Sequence, residues 1–231
     1  MMPRTISAGF ALLGIVAIHA TAAAQITRVD RTHAPVFGPP PKISLPPILT
    51  RELPNGLKLM IVEQHELPLV DFALVVGSGG TVDPVGKNGV ANLTAAMLTE
   101  GTAGRTSLEI ADQVAYLGIG LSANSNWDAS TITLHTPKSQ LDSALALFAE
   151  VALRPSFPAN EFERIRKDRL TDLIQLKDRP TTIANQAYAA ILYGSSHPYG
   201  HSLIGNEESV KTLAISDLMS FYKTHFFPNN S

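Results

Sequence analysis

Two rhythms of apolar residues alternate along the chain. Over 57–63 ("LKLMIVE") and 69–76 ("LVDFALVV"), short aliphatic runs are bounded by Pro54-Asn55-Gly56 and by the glycines of "GSGG", Gly77 to Gly80. They predict two strands, neighbours in one sheet, with His65 in the turn between them. The next stretch, "NGVANLTAAMLTEGT" from Asn88 to Thr102, changes period: Val90, Leu93 and Met97 recur at helical spacing. Its other face carries Asn92, Ala95, Ala96 and Thr99, all small or neutral, and no charged side chain falls between Lys87 and Glu100. A helix with such a face packs closely against something.

A second helix follows in "TSLEIADQVAYLG", where Thr106 and Glu109 stand in capping-box spacing and Gly118 closes the end. Period-two alternation then returns over 121–136, interrupted by the polar residues Asn124 to Asp128, and predicts two strands or one long bent one. After it come helical patterns in "SQLDSALALFAEVALRP", in "NEFERIRKDRLTDLIQLKD" with Phe162, Ile165, Leu173 and Leu176 on the buried face, and in "TTIANQAYAAILYG" beyond Pro180. Strands first and helices grouped afterwards predict an α+β fold, an antiparallel or mixed sheet with helices on one face.

The ends modify this picture. "MMPRTISAGFALLGIVAIHATAAAQ" has Arg4, an apolar run from Ile6 to Ile18 and a small-residue close at Ala22 and Ala24, which predicts a signal peptide over 1–24. The run is too short for a membrane span, which takes about 20 apolar residues. The expectation is a periplasmic or secreted protein, with no membrane attachment after cleavage. Residues 25–48 form a proline-rich extended lead-in, with six of the 16 prolines between Ala34 and Pro47. The folded domain is expected over 49–231, and its last residues, "SDLMSFYKTHFFPNNS", read as the middle of a longer protein. A net charge of −2 and no long basic run argue against nucleic acid as a partner. The chain has no cysteine, which removes disulfides and thiolate metal sites.

Of the seven histidines, His19 leaves with the signal peptide and His33 sits beside the prolines. His135 reads as a partly exposed strand residue, and His225 ends a helix, where a positive charge suits the dipole. His197 and His201 in "HPYGH" are four apart, but Pro198 and Gly200 make the segment a turn; it is the weak candidate for a metal site. "GSGG" leads into Thr81-Val82-Asp83-Pro84 rather than a helix and reads as a turn, and no GxSxG or phosphate-cradling loop is present.

Six segments in order, "LPNGLKLMIVEQHELPLVDFALVVGSGG", "GVANLTAAMLTEGT", "LGIGLSANSNWDAS", "LRPSFPANEFERIRKDRL", "HPYGHSLIG" and "FYKTHFFPNN", resemble the N-terminal domain of the pitrilysin/insulinase family of zinc peptidases, the inverzincins. The resemblance implies one half of a peptidase clamshell, with the second half absent from this chain. In active members the opening helix carries His-x-x-Glu-His, in which two imidazoles bind zinc and the glutamate takes a proton from the metal-bound water. On that pattern Asn92 stands at the first histidine, Ala95 at the glutamate and Ala96 at the second histidine. Asp172 falls nearest the distal glutamate ligand; on its own terms it reads as a solvated helix acid near Arg169. The resemblance also implies that Ser122, Ala123 and Asn124 lie on an edge strand to which peptides add by main-chain hydrogen bonds.

These substitutions imply no catalytic residues, no metal and no cofactor, although active relatives use zinc. The leading expectation is a catalytically silent, exported subunit beside an active zinc-bearing homologue, holding unfolded peptides. Two rivals are a structural or peptide-binding module with no role in hydrolysis, and a metallopeptidase with an unrecognised site such as His197 with His201.

Overall fold

The computed structural model describes residues 38–40, 46–194 and 196–231. The expected signal peptide and most of the proline-rich lead-in lie outside them. The elements are β1 (Ile48–Glu52), β2 (Lys58–Val62), β3 (Leu69–Val76), α1 (Val90–Met97), α2 (Ser107–Leu117), β4 (Gly120–Ser125), β5 (Ser130–Pro137), α3 (Leu141–Leu153), α4 (Ala159–Leu176), α5 (Pro180–Tyr193), α6 (Glu207–Thr212) and α7 (Ile215–His225).

Strand β5 organises the main sheet, whose order is β3-β5-β4, antiparallel throughout. Its alternation puts Ile132 and Leu134 fully inside, while Thr131, Thr133 and His135 face away. Leu74 lies opposite Ile132 and Phe72 opposite Leu134, so β3 adds its own inward residues to the same layer. The 121–136 alternation is thus two strands, joined by a tight turn in which Asn126 N–H donates to Ala129 O at 2.8 Å. Helices α1 and α3 pack on the inner face of β5. The core joins α1, α2, α3, β5 and α7 through Leu93, Met97, Ile110, Leu147, Leu218 and Phe221.

Strands β2 and β3 are not neighbours, contrary to the expectation from their adjacency. Strand β2 pairs with β1 in a separate hairpin across the turn in which Gly56 adopts φ +84°. Strand β1, at the start of the expected folded domain, offers β2 a partner only five residues away. The hairpin exposes its apolar residues, Met60 at 71%. Helix α2 has the expected capping box, with Thr106 N–H donating to Glu109 Oε2 at 2.8 Å, and Gly118 ends it in the left-handed region. Helix α5 begins at Pro180 as expected but buries no side chain; Ile191 is 86% exposed and Tyr188 66%.

One buried group is unsatisfied. Thr94, inside α1 with no exposed surface, has no partner for Oγ1 among the described residues. Leaving a buried hydroxyl unpaired costs about 1–3 kcal/mol. Thr94→Val is expected to raise stability by about 1 kcal/mol, read as a higher denaturation midpoint at unchanged slope. A lower midpoint would show that the hydroxyl is bonded after all.

Candidate functional site

Helix α1 is held from its N-terminal end. Gly89, at φ +95°, offers no side-chain cap, and Asp83 supplies one from six residues upstream. Its Oδ2 accepts from Gly89 N–H at 2.6 Å and its Oδ1 from Ala91 N–H at 2.9 Å. A Cβ on Gly89 would come within 2.8 Å of Ile204 O, and one on Gly205 within 2.4 Å of Asn88 O. The loop before α1 and the loop before α6 therefore interlock backbone to backbone, with Ser209 Oγ donating to Asn88 O at 2.9 Å. Lys87 adds an ion pair to Asp217 of α7 at 2.9 Å.

That clamp fixes the small-residue face. Ala95 is fully buried, and Ala96 and Asn92 are partly so. Asn92 is fully engaged: Nδ2 donates to Ser125 O of β4 at 3.2 Å, and Oδ1 accepts from Arg169 Nη1 of α4 at 2.7 Å. Arg169 Nη1 also points at Ile204 O at 3.4 Å, the carbonyl presented by the interlocked loop. Burial pushes the Arg169 pKa down, with the field of Asp172 opposing the shift. A guanidinium keeps its charge through such a shift. Asp172 itself, one turn along α4, is exposed.

Zinc does not fit this set of residues. Ala95 and Ala96 carry no donor atom, the Asn92 amide oxygen is committed to a cation, and that cation stands on the face a second cation would need. Among the described residues no group of three or more histidine and acidic side chains could hold a metal. His197 instead caps its own turn, its Nδ1 accepting from Tyr199 N–H at 3.1 Å, and stacks on Tyr193. Ala95, at the position expected for the motif glutamate, has no titratable group.

Strand β4, carrying Ser122, Ala123 and Asn124, is one of the two outer strands of its sheet, as β3 is the other. Ser122 and Asn124 point outward, and Ser122 Oγ shares a 2.8 Å hydrogen bond with Thr133 Oγ1. Ala123 points inward against the core.

His225 corrects another expectation. Its place at a helix end suits a positive charge, but it is partly buried, and burial pushes its pKa down toward the neutral imidazole. Its Nδ1 faces Ser78 Oγ at 3.1 Å, and Asn230 Nδ2 donates to the same Ser78 Oγ at 3.1 Å. His135 remains exposed as expected, with Nδ1 2.6 Å from Asp71 Oδ1. Sequence reasoning noticed Arg169 only as a neighbour of Asp172. Its position one turn before Asp172 on the same helix face was the available signal. The reach of Asp83 to α1 had none, because it depends on the path of the intervening loop.

Two outcomes follow from the α1 clamp. Burial raises the Asp83 pKa to about 6, against the opposing hydrogen bonds from Ala91, Gly89 and Val90. The folded state thus holds this proton more tightly than the unfolded chain, whose value is 3.8. The resulting stability is complete below about pH 4 and is lost as pH rises through about 6. Denaturation between pH 4 and 7 should show that decline, and Asp83→Asn should flatten it. Restoring the motif carboxylate by Ala95→Glu should cost about 1–3 kcal/mol, because a fully buried alanine site has no room for it; a neutral effect on the denaturation midpoint would refute that packing.

The profile of the family "Insulinase (Peptidase family M16)" matches residues 59–207. The chain is similar to an uncharacterised zinc protease of Mycobacterium leprae, 30% identical over 179 residues, covering 76% of this chain and 39% of that protein. It is also similar to YmxG, a non-peptidase homologue of Helicobacter pylori, at 26% identity, covering 74% of this chain and 40% of that protein. Among solved structures, the peptidase M16 inactive domain from Pseudomonas fluorescens superimposes with a TM-score of 0.72 at 33% identity, covering 76% of this chain and 42% of that one. The chain spans about two fifths of the length of these relatives. On the profile match across most of its length, this chain belongs to the insulinase family, peptidase family M16.

Proposed function

We propose that this chain is an exported, catalytically silent member of the insulinase family, serving as the non-catalytic subunit of a heteromeric peptidase and holding extended peptides along β4. The observation that carries the reading is the make-up of the α1 face: Asn92, Ala95 and Ala96 at the motif positions, with Arg169 bonded to Asn92. Zinc chemistry has lost its ligands and its base there, while the outer strand needs only main-chain groups to receive a peptide. The similarity to a non-peptidase homologue and to an inactive domain supports the silent half of the reading. The exposed large apolar residues of α5, Ile183, Tyr188, Ile191 and Leu192, support the partner half, because several such side chains exposed on one helix favour association. An export role rests on the N-terminal pattern of Arg4, an apolar run and small residues. No helix of the described residues is long and apolar enough to cross a membrane.

The test is a mixing experiment. The purified chain is expected to hold no stoichiometric zinc and to cleave no peptide. It should co-purify with an M16 homologue that carries His-x-x-Glu-His, and should raise that homologue's peptidase rate. Stoichiometric zinc in the purified chain would reinstate a peptidase role of its own. Peptide binding with no partner and no gain on mixing would favour the peptide-binding module instead.

A further inference from the structure

We propose that Arg169, held by Asn92 at the end of β4, is a carboxylate-binding site that selects peptides bearing a free carboxylate; this deepens the peptide-holding role proposed above. The first observation is a guanidinium whose fork is only partly used. Arg169 lies partly buried on α4, yet none of the ion pairs among the described residues includes it. Its hydrogen bonds among the described residues both leave from Nη1, to a neutral amide oxygen and a backbone carbonyl. A guanidinium has five N–H donors in a planar fork that matches a carboxylate, and here the Asp172 carboxylate lends its field but makes no ion pair with the fork.

The second observation is where this cation stands. The Asn126-to-Ala129 hydrogen bond fixes the phase of the β4–β5 ladder. Alternation then turns the main-chain groups of Leu121, Ala123 and Ser125 away from β5, toward the outer edge. At Ser125 that edge is already closed, because Asn92 Nδ2 takes its carbonyl. A peptide strand can therefore pair along Leu121 and Ala123, and at the Ser125 end it meets Asn92 and the guanidinium bonded to it. The carboxylate can be the peptide's own C-terminus or an aspartate or glutamate side chain. Both present the same two oxygens to the fork.

The experiment uses the full chain and two kinds of probe. Sodium acetate is titrated while the Arg169 Nε–H and Asn92 side-chain amide signals are followed by NMR. In parallel, anisotropy compares labelled extended peptides that differ only in glutamate against glutamine, or in a free against an amidated C-terminus. Acetate should shift both signals. A charged peptide should bind about tenfold more tightly than its neutral counterpart, the worth of a charge-assisted hydrogen bond. The pair that shows the difference identifies the source of the carboxylate. Arg169→Gln should remove both effects, and Arg169→Lys, which keeps the charge but not the fork, should lose most of the preference. Unmoved signals in acetate together with equal binding of charged and neutral peptides would overturn the site and leave peptide holding intact. Acetate shifts without binding of any peptide would keep the site and remove the peptide-holding role.

Discussion

The close seating of α1 beneath the sheet governs the rest of this structure. Ala91 and Ala95 have no exposed surface, and the helix touches β4, β5, α4 and α7 at once. Only small side chains permit a helix to meet that many elements. Because packing density leaves no slack in such a junction, the loops that enter α1 are fixed as well. The glycine interlock at Gly89 and Gly205, the reach of Asp83 and the Lys87–Asp217 pair hold one end of one helix. The helix is thus fixed by packing and by these contacts at its entry, with Ala95 and Ala96 offering no side-chain donor atom on the face it presents.

One polar group on that helix, Asn92, ties elements together. Asn92 joins α1 to β4 and to α4 through two hydrogen bonds, one from each end of its amide. The surface they make is a structural bridge. Fold and function separate cleanly at such a site, since the architecture persists while the chemistry is set by a few side chains.

Much of this was legible in the sequence, and the gaps have physical reasons. The α2 capping box, the glycine that ends it, the proline that starts α5 and the period-two runs of β4 and β5 are local signals, and each produced the element it predicted. Strand pairing is not local. The adjacency of β2 and β3 suggested one sheet, but pairing follows complementary inward residues, which β3 finds in β5 and not in β2. His225 misled for a related reason: its place at a helix end was visible, its burial against Ser78 was not. The α1 face was readable as an absence, whereas Arg169 could be joined to Asn92 only once α4 was folded across it.

The bond between Arg169 and Asn92 also changes what this surface depends on. A bound metal is supplied by the surroundings and is lost to chelators, to competing ions and to protonation of its ligands. A guanidinium is translated with the chain and keeps its proton throughout the physiological range. The positive charge beside β4 is therefore constitutive, unaffected by how much zinc the compartment offers.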